Sequence, residues 1–356
     1  MNGERDERSI ARPAGEAPGA RVAPVRVLLT GASGFVGSHV ADALVREGYR
    51  VRALLRRSSK TKWIRGLPLE VAYGDVTDKA SLAGACVGVQ SVVHFGALTS
   101  ARSEAEFRAV NDTGTRNLAE SLAERGEPDG FFIYCSSLAA GGPAIATQSR
   151  PEPVRTEEDP DTPITPYGRT KLDGERAARE VAAGSGRFRM VALRPPAVYG
   201  PRDTDILMLF RLIKNGVLPL PAPPEARLSL VHVADLVQAT VEVARKQVEG
   251  TYYVCDGEPH TWIEVGQLAA QIMHVSARPL RIPAWTSVSV AVLAEFAGKA
   301  LGKPPLLHRG RIRDMRQPHW VCSAERARRE WGFVPRVSLE DGLHDTLTWY
   351  REQRWL

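Results

Sequence analysis

The chain has 356 residues, 43% of them hydrophobic, enough to fill one large core or two intimate ones. Its 47 basic residues against 41 acidic ones leave a net charge of +6, a small excess over so long a chain, and with no groove-reading motif beside it nucleic-acid binding is set aside. Cys86, Cys135, Cys255 and Cys322 lie far apart without Cys-x-x-Cys spacing, which argues against a zinc site or a disulfide framework and for a reducing, cytoplasmic setting.

Residues 1–24 mix Arg, Glu, Gly, Pro and Ala without an apolar run, so they read as a disordered leader and not as a signal peptide. From 25 to 198, short apolar runs alternate with longer amphipathic ones. The runs at 25–29, 50–55, 69–72, 91–95, 130–134 and 190–193 are predicted strands, and 36–47, 105–126 and 166–183 are predicted helices. Parallel strands need a crossover between neighbours, so the alternation predicts an α/β fold, a parallel sheet with helices on both faces.

After Tyr199 the composition shifts, and Pro201, Pro219, Pro221, Pro223 and Pro224 mark irregular chain around one short helix. Residues 231–237 are expected to return to the sheet and lead into a helix, and 250–255 to add a strand. The division that follows is a cofactor domain over 25–198 and 231–258, and a smaller, discontinuous substrate domain over 199–230 and 259–356, with the active cleft between them. The stretch 284–301 is apolar but broken by Glu295 and Lys299, and is short for a membrane span. It is expected to be a buried or substrate-covering helix, with a helix lying in a membrane surface as the alternative.

The first predicted strand runs into Gly31-Ala32-Ser33-Gly34-Phe35-Val36-Gly37, where helix periodicity begins. Gly31 allows a tight turn, Gly34 lets backbone N–H groups approach a pyrophosphate, and Gly37 permits close packing of helix on strand. The same turn brings Ser33, Phe35 and Val36 to the nucleotide. The second strand ends near Leu55, where an NAD site usually presents an acid to the ribose 2′-hydroxyl. Arg56 and Arg57 follow instead, and no acid stands between Gly48 and Leu69. A guanidinium suits a 2′-phosphate that a carboxylate would repel, so NADP is preferred over NAD; a solvated basic turn is the competing explanation. Asp75 and Val76 follow the third strand, where an adenine edge is met.

Tyr167 and Lys171, four apart on a predicted helix, point from one face. The phenol is suited to give a proton to a carbonyl oxygen as hydride arrives, or to take it in the reverse direction. A neighbouring ammonium is expected to lower the phenol's ordinary pKa of about 10. Lys171 is also placed to hold the nicotinamide ribose. Ser137, just past the strand at 130–134, is placed to steady the same substrate oxygen.

These features resemble the extended short-chain dehydrogenase/reductase family from residue 25 to the C-terminus. The resemblance is carried by the Gly31/Gly34/Gly37 turn, Asp75-Val76, His94-Phe-Gly-Ala97, Asn111-Asp-Thr-Gly-Thr115, Ser136-Ser137, Tyr167 with Lys171, and Arg194-Pro-Pro-Ala-Val-Tyr-Gly-Pro201. It implies a doubly wound Rossmann fold, nicotinamide chemistry, Ser137, Tyr167 and Lys171 as catalytic residues, and homodimers joined through helices. It also implies Phe95, Gly96, Ala97, Pro195 and Val198 as cofactor neighbours. Asn111 matches the asparagine of the family's Asn-x-x-Gly-Thr motif, as a member of the catalytic set or as its support.

Members that dehydrate or decarboxylate nucleotide sugars commonly carry acids just after the catalytic Ser/Thr, whereas Ser137 is followed by Leu138, Ala139 and Ala140. Nucleotide-sugar enzymes also tend to carry Asn at the position of Ala197 and Arg at that of Leu228, with Arg227 here one residue out of register. The chain is more similar to the branch of 3β-hydroxysteroid dehydrogenases and dihydroflavonol reductases. That likeness implies hydride exchange with a hydroxyl or ketone on an apolar or aromatic small molecule. Residues 206–220, Trp262, Trp285 and 288–293 are candidates to wall an apolar cleft, with ordinary core packing as the alternative. A nucleotide-sugar epimerase with tightly held NAD, and a non-catalytic NADP sensor, are the competing functions.

Overall fold

A computed structural model describes residues 25–148, 150–220, 222–281, 312–314 and 316–356. The leader, the stretch 284–301, Pro221 and Trp285 therefore lie outside the described residues. The first half builds β1 (Arg26–Thr30), α1 (Phe35–Arg46), β2 (Arg50–Leu55), β3 (Glu70–Tyr73), α2 (Lys79–Cys86), β4 (Ser91–His94), α3 (Glu104–Arg108), α4 (Gly114–Arg125) and β5 (Gly130–Cys135). There follow α5 (Leu138–Gly141), α6 (Pro166–Ser185), β6 (Phe188–Arg194), β7 (Ala197–Tyr199), α7 (Asp205–Lys214), β8 (Val217–Leu220), β9 (Arg227–Leu228), β10 (Leu230–His232) and α8 (Val233–Lys246). The last elements are β11 (Gly250–Tyr253), β12 (His260–Thr261), α9 (Trp262–Met273), β13 (Arg278–Arg281), β14 (His319–Trp320), α10 (Glu325–Trp331) and α11 (Leu339–Glu352).

Seven strands form one parallel sheet in the order β3-β2-β1-β4-β5-β6-β11, the doubly wound Rossmann arrangement. Helices cover both faces, so the central strands are buried on both sides and read as continuous apolar runs rather than alternating ones. All four residues of β4 are buried, as are Val27, Leu28, Leu29 and Thr30 of β1. Chain order reverses between β1 and β4, which opens a crevice at their carboxyl ends. The glycine turn leaves β1 at this crevice, and residues 95–97 leave β4 beside it.

Three expectations change. The single helix at 105–126 is α3 and α4 joined by a π-helical turn, Ala109–Thr113, because an extra residue is accommodated around Asn111. One inserted residue barely disturbs apolar periodicity, which is why the interruption is hard to see in the sequence. Residues 230–232 do not rejoin the large sheet: β11 occupies the edge beside β6, and β10 pairs instead with β7 in a separate parallel ribbon before α8 begins. Helix α2, unforeseen, is short and buries only Leu82, Ala85 and Cys86, with Asp78 capping its N-terminus.

Helix α6 is well specified locally. Thr165 accepts a hydrogen bond from Gly168 N at 3.3 Å, Pro166 opens the first turn, and Gly186 closes the helix with φ of 61°. The second half has its own core: Leu207, Phe210 and Ile213 of α7 pack with Val265 and Ala269 of α9 and with Leu343, Leu347 and Tyr350 of α11. Trp262 packs against the same cluster. The apolar residues of 206–220 are thus mostly core rather than cleft wall, with Met208 exposed and Trp262 half-buried. No described helix is long and apolar enough to cross a membrane.

Candidate active site

The glycine turn fits a nucleotide cradle sterically. Gly31 has φ of 74°, and a Cβ there would stand 2.6 Å from the Phe95 carbonyl carbon. A Cβ at Gly37 would lie 2.1 Å from Gly31 O, so the turn and α1 can meet only without side chains. Gly34 N donates to Gly31 O at 2.9 Å and closes the turn. Gly34 is also the N-cap of α1 and offers no side-chain cap, so the first helical N–H groups are left for a ligand anion. Ser33, Phe35 and Val36 are half-buried around this mouth.

Across the crevice, Phe95 N donates to Thr30 O at 3.2 Å and Gly96 N to Thr30 Oγ1 at 2.9 Å, which seats residues 95–97 beside β1. Pro195 is buried, and its carbonyl accepts from Leu138 N at 2.8 Å; Val198 pairs with Val231 in the ribbon. Arg56 is exposed at the end of β2, whereas Arg57 lies over the Tyr73 ring at 5.2 Å. The Asp75 carboxylate accepts from Thr77 N and Oγ1, and the carbonyl of buried Val76 accepts the Asn117 amide at 2.9 Å.

Ser137 caps α5, its Oγ accepting from Ala139 N at 3.1 Å, and its hydroxyl stands beside the Tyr167 phenol. Burial pushes the phenol up to about 12, while the neighbouring Ser137 hydroxyl pulls in the opposite direction. Lys171, one turn along α6, is 1% exposed. Its Nζ donates to Cys135 O at 2.7 Å and sits 4.1 Å from the Tyr134 ring centroid. Burial pushes this ammonium down to about 8. The expected lowering of the phenol by Lys171 is not found, because the ammonium is engaged by Cys135 and Tyr134 and desolvation of the phenol dominates.

The Asn111 side chain turns elsewhere than to the phenol or the ammonium. Its Oδ1 accepts from Leu98 N at 2.9 Å, and its Nδ2 donates to Leu98 O at 3.1 Å and to Thr170 Oγ1 at 3.3 Å. It thereby fastens the loop after β4 to α6. Helix α6 lies close against the π-turn: a Cβ at Gly174 would stand 2.2 Å from Asn111 O.

Two contributors, Asp161 and Glu175, were not singled out from the sequence, and Arg194 was named only within the Arg194–Pro201 run. Arg194 Nε and Nη2 donate to Glu175 at 2.8 and 2.7 Å, and Nη1 and Nη2 to Asp161 at 2.6 and 3.0 Å. This buried group ties α6 to β6. The signal available was Glu175 four residues after Lys171, which continues one helical stripe. Of the two positions weighed for diphosphate reading, Ala197 is exposed on β7 and Leu228 is buried on β9, with the out-of-register Arg227 exposed beside it.

The sequence pattern of the NAD dependent epimerase/dehydratase family matches residues 27–255. The chain is 30% identical to the ceramide reductase of Caulobacter vibrioides, covering 93% of this chain and 96% of that protein. It is 27% identical to the 2-alkyl-3-oxoalkanoate reductase of Stenotrophomonas maltophilia, over 90% and 97% of the two chains. In fold it resembles the UDP-glucose 4-epimerase of Thermotoga maritima solved with UDP-glucose, with a TM-score of 0.74, 24% identity, and coverage of 93% of this chain and all of that one.

Proposed function

The chain belongs to the NAD dependent epimerase/dehydratase family and is an enzyme of the extended short-chain dehydrogenase/reductase type, and from that premise we propose that it reduces a ketone on an apolar, alkyl-bearing substrate with NADPH. The observation that carries this is the Tyr167 phenol beside the Ser137 hydroxyl and one helical turn from buried Lys171. A phenol raised to about 12 keeps its proton at neutral pH and is suited to donate it to a carbonyl oxygen that is becoming an alkoxide. Ser137 Oγ steadies the same oxygen, and Lys171, turning from the Cys135 carbonyl, is placed to hold the cofactor ribose. The cofactor, when bound, supplies the hydride. Leu138, Ala139 and Ala140 offer no second acid or base after Ser137, which favours simple reduction over elimination.

Gly31, Gly34 and Gly37 clear the space for a pyrophosphate, and Phe95, Gly96, Ala97, Pro195 and Val198 are assigned to the cofactor's surroundings. The exposed guanidinium of Arg56, at a strand end that lacks a carboxylate, supports NADPH over NADH. Two relatives named as reductases, of ceramide and of 2-alkyl-3-oxoalkanoates, support a ketone carried on alkyl chains. Asn111 is assigned to positioning, since both ends of its amide are committed to Leu98 and Thr170.

The test is a cofactor-difference assay with a short-chain 3-ketoceramide, a 2-alkyl-3-oxo acid and UDP-glucose. NADPH oxidation with one of the keto compounds, and little with NADH, is expected. Release of NAD from the denatured protein together with epimerisation of UDP-glucose would refute the reductase assignment. Arg56→Ala should raise the KM for NADPH about tenfold or more, as the loss of a charge-assisted bond implies, and leave that for NADH nearly unchanged.

A further inference from the structure

Three buried side chains, Thr30, His94 and Thr115, link the cofactor crevice to the π-turn without a gap. Gly96 N donates to Thr30 Oγ1 at 2.9 Å, Thr30 Oγ1 lies 2.6 Å from His94 Nδ1, and His94 Nε2 lies 3.1 Å from Thr115 Oγ1. Thr115 Oγ1 in turn donates to Asn111 O at 2.7 Å. Thr30, His94, Asn111 and Thr115 are each at most 2% exposed, so water does not compete for these bonds.

The chemistry of each group leaves one arrangement of protons. Thr115 spends its only hydrogen on the Asn111 carbonyl, so toward His94 it presents a lone pair and Nε2 must carry the N–H. A neutral imidazole has one such hydrogen, so Nδ1 accepts and Thr30 donates to it. Thr30 Oγ1 then has lone pairs only for Gly96 N–H. Protonating His94 would place a second N–H against Thr30 and leave that hydroxyl hydrogen without its acceptor. Burial, with the Lys171 ammonium nearby, pushes His94 down to about 3 and keeps it neutral.

The two ends of this run reach different halves of the site. At one end Gly96 belongs to the strip assigned to the cofactor. At the other, Asn111 O also faces the Tyr134 hydroxyl at 3.4 Å, and the Tyr134 ring carries the Lys171 ammonium. Asn111 further holds Thr170 on α6, beside Lys171.

We propose that His94, as the neutral Nε2–H tautomer, is a positioning residue that couples the Gly96 strip to the Asn111–Tyr134–Lys171 group through Thr30 and Thr115, so that the two halves of the nucleotide site are set together. The proposal rests on the assignment of Gly96 and Lys171 to the nucleotide, and not on the identity of the ketone.

The experiment measures NADPH affinity by fluorescence for Thr30→Val, Thr115→Val and the double variant, with Thr30→Ser and Thr115→Ser as hydroxyl-keeping controls. Each Val variant should weaken NADPH roughly tenfold, the Ser variants should stay near wild type, and the double variant should lose well under the roughly hundredfold of independent sites. His94→Gln, which keeps a neutral donor and acceptor, should recover most of the affinity lost in His94→Leu. On the wild-type protein, imidazole 15N resonances should report an unprotonated Nδ1 from weakly acidic to weakly alkaline pH. An Nδ1–H tautomer, or unchanged NADPH affinity in cooperatively folded Val variants, overturns the coupling, as do strictly multiplicative losses. Normal NADPH binding with no ketone turned over would instead sink the proposed function and leave this coupling intact.

Discussion

Replacing Lys171 by Met is expected to make the cofactor-free protein more stable near neutral pH while removing its activity. The ammonium is 1% exposed, and its fall from the ordinary 10.5 to about 8 corresponds to roughly 3 kcal/mol of unfavourable burial at neutral pH. Met has a similar reach and carries no charge, but it forfeits the 2.7 Å bond to Cys135 O and the contact with the Tyr134 ring, together about 1–2 kcal/mol. The net gain is therefore about 1–2 kcal/mol. Because the folded value is the lower one, the folded protein gives up this proton first as pH rises, and the native state gains stability between about 8 and 10.5. The wild type recovers about 2 kcal/mol relative to the variant between pH ~7 and pH ~9.5, which closes or reverses the difference. Urea unfolding of both proteins, followed by tryptophan fluorescence at the two pH values with equal slopes, measures it directly. A variant less stable than wild type near neutrality, or a difference flat with pH, would refute the account of Lys171 as a charge held at a cost for the sake of its function.

Tyr167→Phe should lower turnover about 10²- to 10⁴-fold, the usual worth of a positioned proton donor, with NADPH affinity within about twofold of wild type; equal loss of binding would show that the phenol's part is structural. Glu175→Ala strips Arg194 of a bidentate partner whose side chain is 4% exposed, leaving Asp161 as its remaining carboxylate. Loss of about 3–5 kcal/mol is expected, a fall of several degrees in melting temperature, and an unchanged melt would mean that the pair contributes little net stability. Gly37→Ala should abolish NADPH binding or folding, since the added methyl would sit 2.1 Å from Gly31 O; a calorimetric titration matching wild type would show that α1 can shift away freely.

Much of the nucleotide half of the site was legible because its requirements are local. A turn that must leave β1, face an anion and open a helix needs glycines at positions set by backbone sterics, and Gly31 and Gly37 show how little room there is. The spacing of Tyr167 and Lys171 follows directly from helical geometry, and Thr165, Pro166 and Gly186 delimit that helix in the sequence itself. The apolar stretch at 206–220 was harder to interpret, since an apolar run is compatible with a cleft or a core, and only its packing on α9 and α11 chose the core for most of it.

The sequence alone therefore determined the alternation of strands and helices, the glycine turn and the residues able to move a proton, because these follow from covalent geometry, periodicity and side-chain chemistry along neighbouring positions. Tertiary structure decided what depends on groups distant in the chain. It turned the Lys171 ammonium to the Cys135 carbonyl and raised the Tyr167 phenol instead of lowering it. It committed Asn111 to Leu98 and Thr170, gave β10 to β7 because β11 held the sheet edge, and joined Thr30, His94 and Thr115. In each case burial and the nearest partner set the outcome, and neither is a property of any short segment.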